Sequence, residues 1–152
     1  MNAAREWGIK LAVSVFFLGY CPIASGTLGA FAGLLLFLGI KEYFWLQIIL
    51  ILGLLFVGAW LSTLAEDIFH EKDSHRIVLD EVVGFLITMV GIAHPSWAVL
   101  AIGFVLNRVF DIYKPFPLRS LEKIPGGWGV MLDDVGAGIY ANLALRLLAR
   151  VC

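Results

Sequence analysis

Four carboxylates stand in two adjacent pairs, Asp80-Glu81 and Asp133-Asp134, and each pair runs directly into an apolar, glycine-containing stretch. Acidic residues in a first helical turn are favoured by the helix dipole, which accounts for either pair taken alone. Two pairs brought together are harder to dismiss, because clustered carboxylates repel one another unless protons or cations intervene. A hard cation suits them: magnesium takes oxygen ligands and often uses one or two carboxylates together with a substrate phosphate. Asp80, Glu81, Asp133 and Asp134 are therefore the candidate ligands of Mg²⁺.

Arg108, Asp111 and Lys114 follow at steps of three, a spacing that predicts one helix face. A surface ion-pair ladder would also have this spacing. Here the ladder ends an apolar helix, where charged groups are usually paired or functional. Arg108 offers a planar fork for phosphate oxygens and Lys114 a point charge. Ser25, Gly26 and Thr27 stand where a helix would begin, and free N–H groups there can bind an anion. An ordinary N-cap by Ser25 or Thr27 is the simpler account of that turn alone. His75 lies in a loop, where a histidine is most often merely solvated; His70 is a weaker candidate, and His94 falls on the other side.

Those residues are carried by a very apolar chain. Of its 152 residues, 61% are hydrophobic and 15% charged, against about 45–50% and 25% in soluble domains. So short a chain cannot hide that much hydrocarbon in one core, whereas a bilayer can take the excess. The net charge of −1 gives no sign of a nucleic-acid partner. Cys21 and Cys152 form no CxxC pair or metal knuckle and read as unpaired thiols. The first 26 residues have a basic start and an apolar run, as a signal peptide would. Lys10 close to that run and the want of a clean A-x-A site argue against one.

The apolar stretches are Trp7–Tyr20, Leu28–Ile40, Phe44–Leu64, Val82–Ala93, Trp97–Phe110 and Val135–Val151. They are continuous and lack period-2 alternation, which disfavours a β-barrel. The expectation is a single all-α domain over residues 1–152, a polytopic membrane bundle of about six short helices. Only Phe44–Leu64 has the ~20 residues of a full span; the rest are thickness-mismatched, re-entrant or interfacial. Ser96 is expected to cap the helix from Trp97, and Pro125-Gly126-Gly127 to break the last connection. If the six alternate across a bilayer, ten of the twelve acidic residues share one side, with only Glu6 and Glu42 opposite. Basic residues divide six to five and leave the orientation open.

Four stretches resemble the phosphatidylglycerophosphatase A family: SGTLG at Ser25–Gly29, DSHRIVLDEVVG at Asp73–Gly84, NRVFDIYKPFP at Asn107–Pro117 and GGWGVMLDDVGAG at Gly126–Gly138. Ser74 stands where proline is expected and Asn107 where an aromatic is common; neither departure removes a charge. The resemblance implies a bacterial inner-membrane enzyme, multi-pass and magnesium-dependent, with its polar face in the cytoplasm. Its substrate would be the phospholipid phosphatidylglycerophosphate and its products phosphatidylglycerol and inorganic phosphate.

The chain carries no DxDx[TV] stretch, no histidine-nucleophile lipid phosphatase pattern and no CDP-alcohol transferase motif. Without an evident covalent nucleophile, attack by a metal-activated water is the favoured chemistry. In that reading Asp80, Glu81, Asp111, Asp133 and Asp134 are catalytic, and Arg108, Lys114, Ser25 and Thr27 bind phosphate. The competing class is a small transporter or ion-binding membrane protein, since short broken helices with charged ends also build transport sites. The residues leave the number of metal ions and the oligomeric state open.

Overall fold

The computed structural model describes residues 2–151. They form seven α-helices and no strand: α1 Ala3–Val13, α2 Ser25–Ile40, α3 Phe44–Phe69, α4 Leu79–Met89, α5 Trp97–Tyr113, α6 Leu118–Leu121 and α7 Gly127–Val151. Cys152 lies outside the described residues.

At the centre is α4, packed against α2, α3, α5 and α7. Nearly every residue from Leu79 to Met89 is buried, so this helix is apolar all round rather than along one stripe. Its eleven residues span only about 16 Å. Small residues let its neighbours close in. A Cβ on Gly33 of α2 would lie 2.9 Å from Phe85 Cβ, and one on Gly138 of α7 3.0 Å from Ile87 Cβ. Such backbone approach is how helices associate where lipid supplies no hydrophobic drive. Phe85, Leu86 and Met89 fill the space between them.

The C-terminal end of α4 leaves carbonyls without helical partners. Asn142 of α7 supplies donors: its Nδ2 lies 3.2 Å from Ile87 O, 2.8 Å from Thr88 O and 3.2 Å from Val90 O. Arg146 adds an Nη2 donor to Val90 O at 2.8 Å and holds Asn142 Oδ1 through Nε at 2.8 Å. The N-terminal end of α4 points the other way, toward the site.

By length and composition, α3 is the one helix among the described residues able to cross a membrane. At 26 residues it is about 39 Å long. Large apolar side chains stand exposed around the bundle, among them Ile49, Phe56 and Trp60 on α3 and Ile102, Val105 and Val109 on α5.

Several boundaries differ from the sequence expectation. The first apolar run is not one helix: α1 ends at Val13, Val15, Phe16 and Phe17 take positive φ, and a short 3-10 turn covers Leu18–Tyr20. α4 begins three residues before Val82 and stops at Met89, with Gly91 at φ +75°. The largest shift is in α7, which begins at Gly127 rather than Val135. Pro125 and Gly126, the latter at φ +70°, lie in the break as expected. Gly127 is already helical, its N–H donating to Thr63 Oγ1 at 2.9 Å, close against the backbone of α3. Ser96 caps α5 as expected, accepting from Val99 N at 3.3 Å.

Candidate active site

The first turn of α4 carries Asp80 and Glu81 at its dipole-favoured end. Asp133 and Asp134 sit two turns inside α7, well past its start, so helix initiation does not explain them. Gly84 lets the two helices meet there: a Cβ at Gly84 would fall 3.1 Å from Asp134 O and 3.4 Å from Asp134 Cβ. The crossing thus sets the two acidic pairs side by side.

α5 completes the group. Arg108 pairs with Glu81 and, at 2.9 Å, with Asp111 one turn further on. Lys114 does not continue that face as the spacing predicted. α5 ends at Tyr113, and Lys114 takes a left-handed conformation at φ 44° that turns it toward α7. Its ammonium reaches Asp133 Oδ2 at 2.6 Å and Glu122 Oε2 at 3.5 Å. Burial alone would lower the Lys114 pKa, but the hydrogen bond and charge of Asp133, helped by Glu122, hold it above its ordinary value.

These groups line one cavity of about 390 Å³. Its floor is Asp80, Asp133 and Asp134, which are 7%, 5% and 3% exposed. Six carboxylates face it, the five above and Asp73, against two fixed cations, Arg108 and Lys114. Partial burial raises the Asp73 carboxyl above its usual range, with Lys114 opposing.

Glu81, Asp111 and Asp134 each place a carboxylate oxygen within 4.8 Å of the others, a spacing that one cation can bridge. This trio overlaps the expected quartet at Glu81 and Asp134 and includes Asp111, already a catalytic candidate from the sequence. Asp133 is engaged by Lys114, and Asp80 stands alongside with its buried Oδ1 lacking a hydrogen-bond partner. The donors are all oxygen and one buried acceptor is orphaned, which fits a hard divalent cation such as Mg²⁺.

The start of α2 closes the cavity from the side. Ala24, in a left-handed conformation, precedes the helix, and neither Ser25 nor Thr27 acts as a side-chain cap. Ser25 instead donates from Oγ to His75 O at 3.0 Å. Ser25 and Gly26 line the cavity; Thr27 does not. Gly26 is a site residue that the sequence motif contained without explaining. A Cβ there would run into Glu81 Oε1 and lie 3.0 Å from Arg108 Nη2. Asp73, Ser74 and His75 also reach the cavity from the loop before α4, so His75 joins the site while His70 and His94 do not line it.

A family model for phosphatidylglycerophosphatase A matches residues 11–149 of the chain. A Haemophilus influenzae protein named phosphatidylglycerophosphatase A is 39% identical over 142 residues, covering 90% of this chain and 86% of the relative. The Escherichia coli K12 protein of the same name is 33% identical over 147 residues, covering 93% and 82%. A Bacteroides thetaiotaomicron protein named as a candidate phosphatidylinositol-3-phosphatase is 36% identical over 138 residues, covering 85% and 86%. No solved structure matches the chain.

Proposed function

The chain belongs to the phosphatidylglycerophosphatase A family, and from that premise we propose that it hydrolyses the terminal phosphomonoester of phosphatidylglycerophosphate, giving phosphatidylglycerol and inorganic phosphate. One observation carries the reading: a polar cavity with six carboxylates and two cations set into a bundle whose exposed surface is rich in large apolar side chains. Such a cavity takes a phosphorylated head group while the acyl chains stay in hydrocarbon.

Glu81, Asp111 and Asp134 are the residues that would hold Mg²⁺, with Asp80 and Asp133 beside them. When bound, the ion offsets charge on the phosphoryl oxygens and lowers the pKa of a bound water. Arg108 and Lys114 bind and orient the phosphate, and the first-turn N–H groups of α2 at Ser25 and Gly26 add donors. Phosphoryl transfer depends chiefly on positioning and electrostatics, so this set is chemically sufficient. The bundle is taken to be multi-pass in a bacterial inner membrane, with the cavity at the cytoplasmic face. Helices shorter than a full span, such as α4, are accommodated by packing inside the bundle rather than by crossing lipid alone.

A second reading, a phosphoinositide monoester as substrate, is favoured by the name of the Bacteroides thetaiotaomicron relative. Phosphate release decides between them. Purified protein is given phosphatidylglycerophosphate, phosphatidylinositol 3-phosphate or soluble glycerol phosphate, each with Mg²⁺ and in excess chelator. Release from the first lipid alone, and only with the cation, is the expected result. Full release in chelator would sink the metal assignment. Equal efficiency on soluble glycerol phosphate would remove the lipid, and preference for the inositol lipid would establish the second reading.

A further inference from the structure

We propose that His75 is the general acid that protonates the departing alcohol, a role that rests on the phosphatase reading above. The alcohol of an alkyl phosphomonoester is a poor leaving group, and a positioned acid contributes about 10²–10⁴-fold to such a step. The cavity offers few groups able to give that proton. Arg108 is held between Glu81 and Asp111, and a guanidinium does not deprotonate in proteins. Lys114 is tied to Asp133 and Glu122. The buried carboxylates form the floor, where the phosphoryl oxygens and their counter-cation belong.

His75 is the cavity's one imidazole, a side chain whose ring nitrogens can both donate and accept a proton. It is exposed, whereas Asp80 and Asp134 are buried, so it occupies the rim and they the floor. A substrate with its phosphate down among the carboxylates presents its ester oxygen toward that rim. Among the described residues the imidazole ring makes no hydrogen bond or ion pair. Its backbone, by contrast, is fixed. Ser25 Oγ donates to His75 O at 3.0 Å, Ile77 N to Ser74 O at 2.8 Å and Val78 N to Val13 O at 2.9 Å. Next door, the Arg76 guanidinium lies 5.7 Å from the Tyr20 ring centre and 5.3 Å from that of Phe69. The tethered backbone holds His75 at the cavity rim, and its ring nitrogens are uncommitted to other groups of the described residues.

The step balances as follows. Water oxygen forms a bond to phosphorus as the bond from phosphorus to the alkyl oxygen breaks. The electron pair of that bond stays on the alkyl oxygen, which takes the proton of the His75 imidazolium. The proton lost by the water passes to solvent, from which the imidazole recovers its own.

The test compares phosphatidylglycerophosphate with its analogue carrying sulfur at the bridging position, whose thiolate departs without a proton. His75→Ala and His75→Gln are assayed on both, with thermal unfolding followed on the same preparations. Oxygen-ester turnover is expected to fall about 100-fold or more, sulfur-ester turnover far less, and added imidazole to restore the alanine variant on the oxygen ester. Equal losses on both esters without rescue would make His75 a ligand or structural residue and overturn the proposal, as would wild-type turnover of the oxygen ester. If the unmodified protein releases phosphate from neither ester, the phosphatase reading fails and this role falls with it. His75 being exposed, both variants are expected to fold, and the glutamine variant keeps a side chain of similar reach.

Discussion

Lys114 Nζ lies 2.6 Å from Asp133 Oδ2, joining the end of α5 to a carboxylate two turns inside α7. The lysine side chain is 20% exposed and the aspartate 6%, so the pair is sheltered from water. Taking away one partner leaves the other unpaired in an already acidic cavity. Lys114→Met is expected to cost roughly 3 kcal/mol of unfolding stability, and Lys114→Arg less. The lysine's pKa is raised on folding, so its contribution is full below its unfolded value of about 10.4 and fades as pH rises through the folded one. Denaturant unfolding in detergent at neutral and high pH reads both effects. Unchanged stability in the methionine variant would mean the pair contributes nothing.

Gly26 faces the Glu81–Arg108 pair so closely that a methyl group has no room without moving one of them. Gly26→Ala is therefore expected to reduce turnover on the order of 100-fold by misplacing catalytic groups. Gly53 of α3 is the control, since a Cβ there meets nothing within 4 Å. Gly53→Ala should leave turnover alone and gain about 0.5–1 kcal/mol from helix propensity. Phosphate release from both variants checks the contrast; a fully active Gly26→Ala would show that the pair tolerates displacement.

At the far end of the bundle, one amide of Asn142 serves Ile87 O and Thr88 O of α4 and Val90 O just beyond it. Asn142→Leu leaves the carbonyls of buried Ile87 and Thr88 without that donor, at an expected cost of about 1–3 kcal/mol. Because α4 carries Asp80 and Glu81 at its opposite end, the variant should also loosen metal-dependent protection. Hydrogen exchange of the α4 amides, with and without Mg²⁺, measures this. Wild-type exchange in both conditions would separate this cap from the site.

The grouping of the candidate residues was more legible in the sequence than the helix boundaries were. Paired carboxylates, the Arg108–Asp111 step and the Ser25-Gly26 turn are local features, and the fold brings them to one cavity. What local reading missed depends on contacts between distant segments. Gly127 looks like a breaker until α3 lies beside it and Thr63 accepts its N–H. Lys114 looks like the next rung of a helical face until the chain turns left-handed there. Thr27 shares a motif with Ser25 but does not line the cavity. Asp111 is a catalytic candidate from its spacing, but its closeness to Glu81 and Asp134 arises because α5 crosses near α7, a register that spacing along α5 does not encode.

Asp80 and Asp134 separate two accounts of the acidic cluster. If these carboxylates serve the fold, replacing either with asparagine should destabilise the protein or do nothing. If they hold a cation, the replacement should remove turnover while relieving repulsion in the apo protein. The second outcome is predicted, for two reasons. Asp134 lies well inside α7, where no helix-start role is open to it. Asp80 is buried in a first turn, where asparagine keeps much of a polar side chain's local hydrogen bonding but none of its charge. Losing one preorganised charge of this kind costs on the order of 100-fold in rate or more. Meanwhile the neutral side chain lessens the crowding of like charge around Glu81 and Asp111. Asp80→Asn and Asp134→Asn should therefore unfold at or above the wild-type temperature in chelator. Mg²⁺ is expected to stabilise the wild type, and that shift should shrink or vanish in both variants, since a ligand stabilises only the state it binds. Phosphate release and unfolding with and without Mg²⁺, measured on the same preparations, give both readouts. Near-normal turnover together with an intact Mg²⁺ shift in both variants would return these two residues to a structural role.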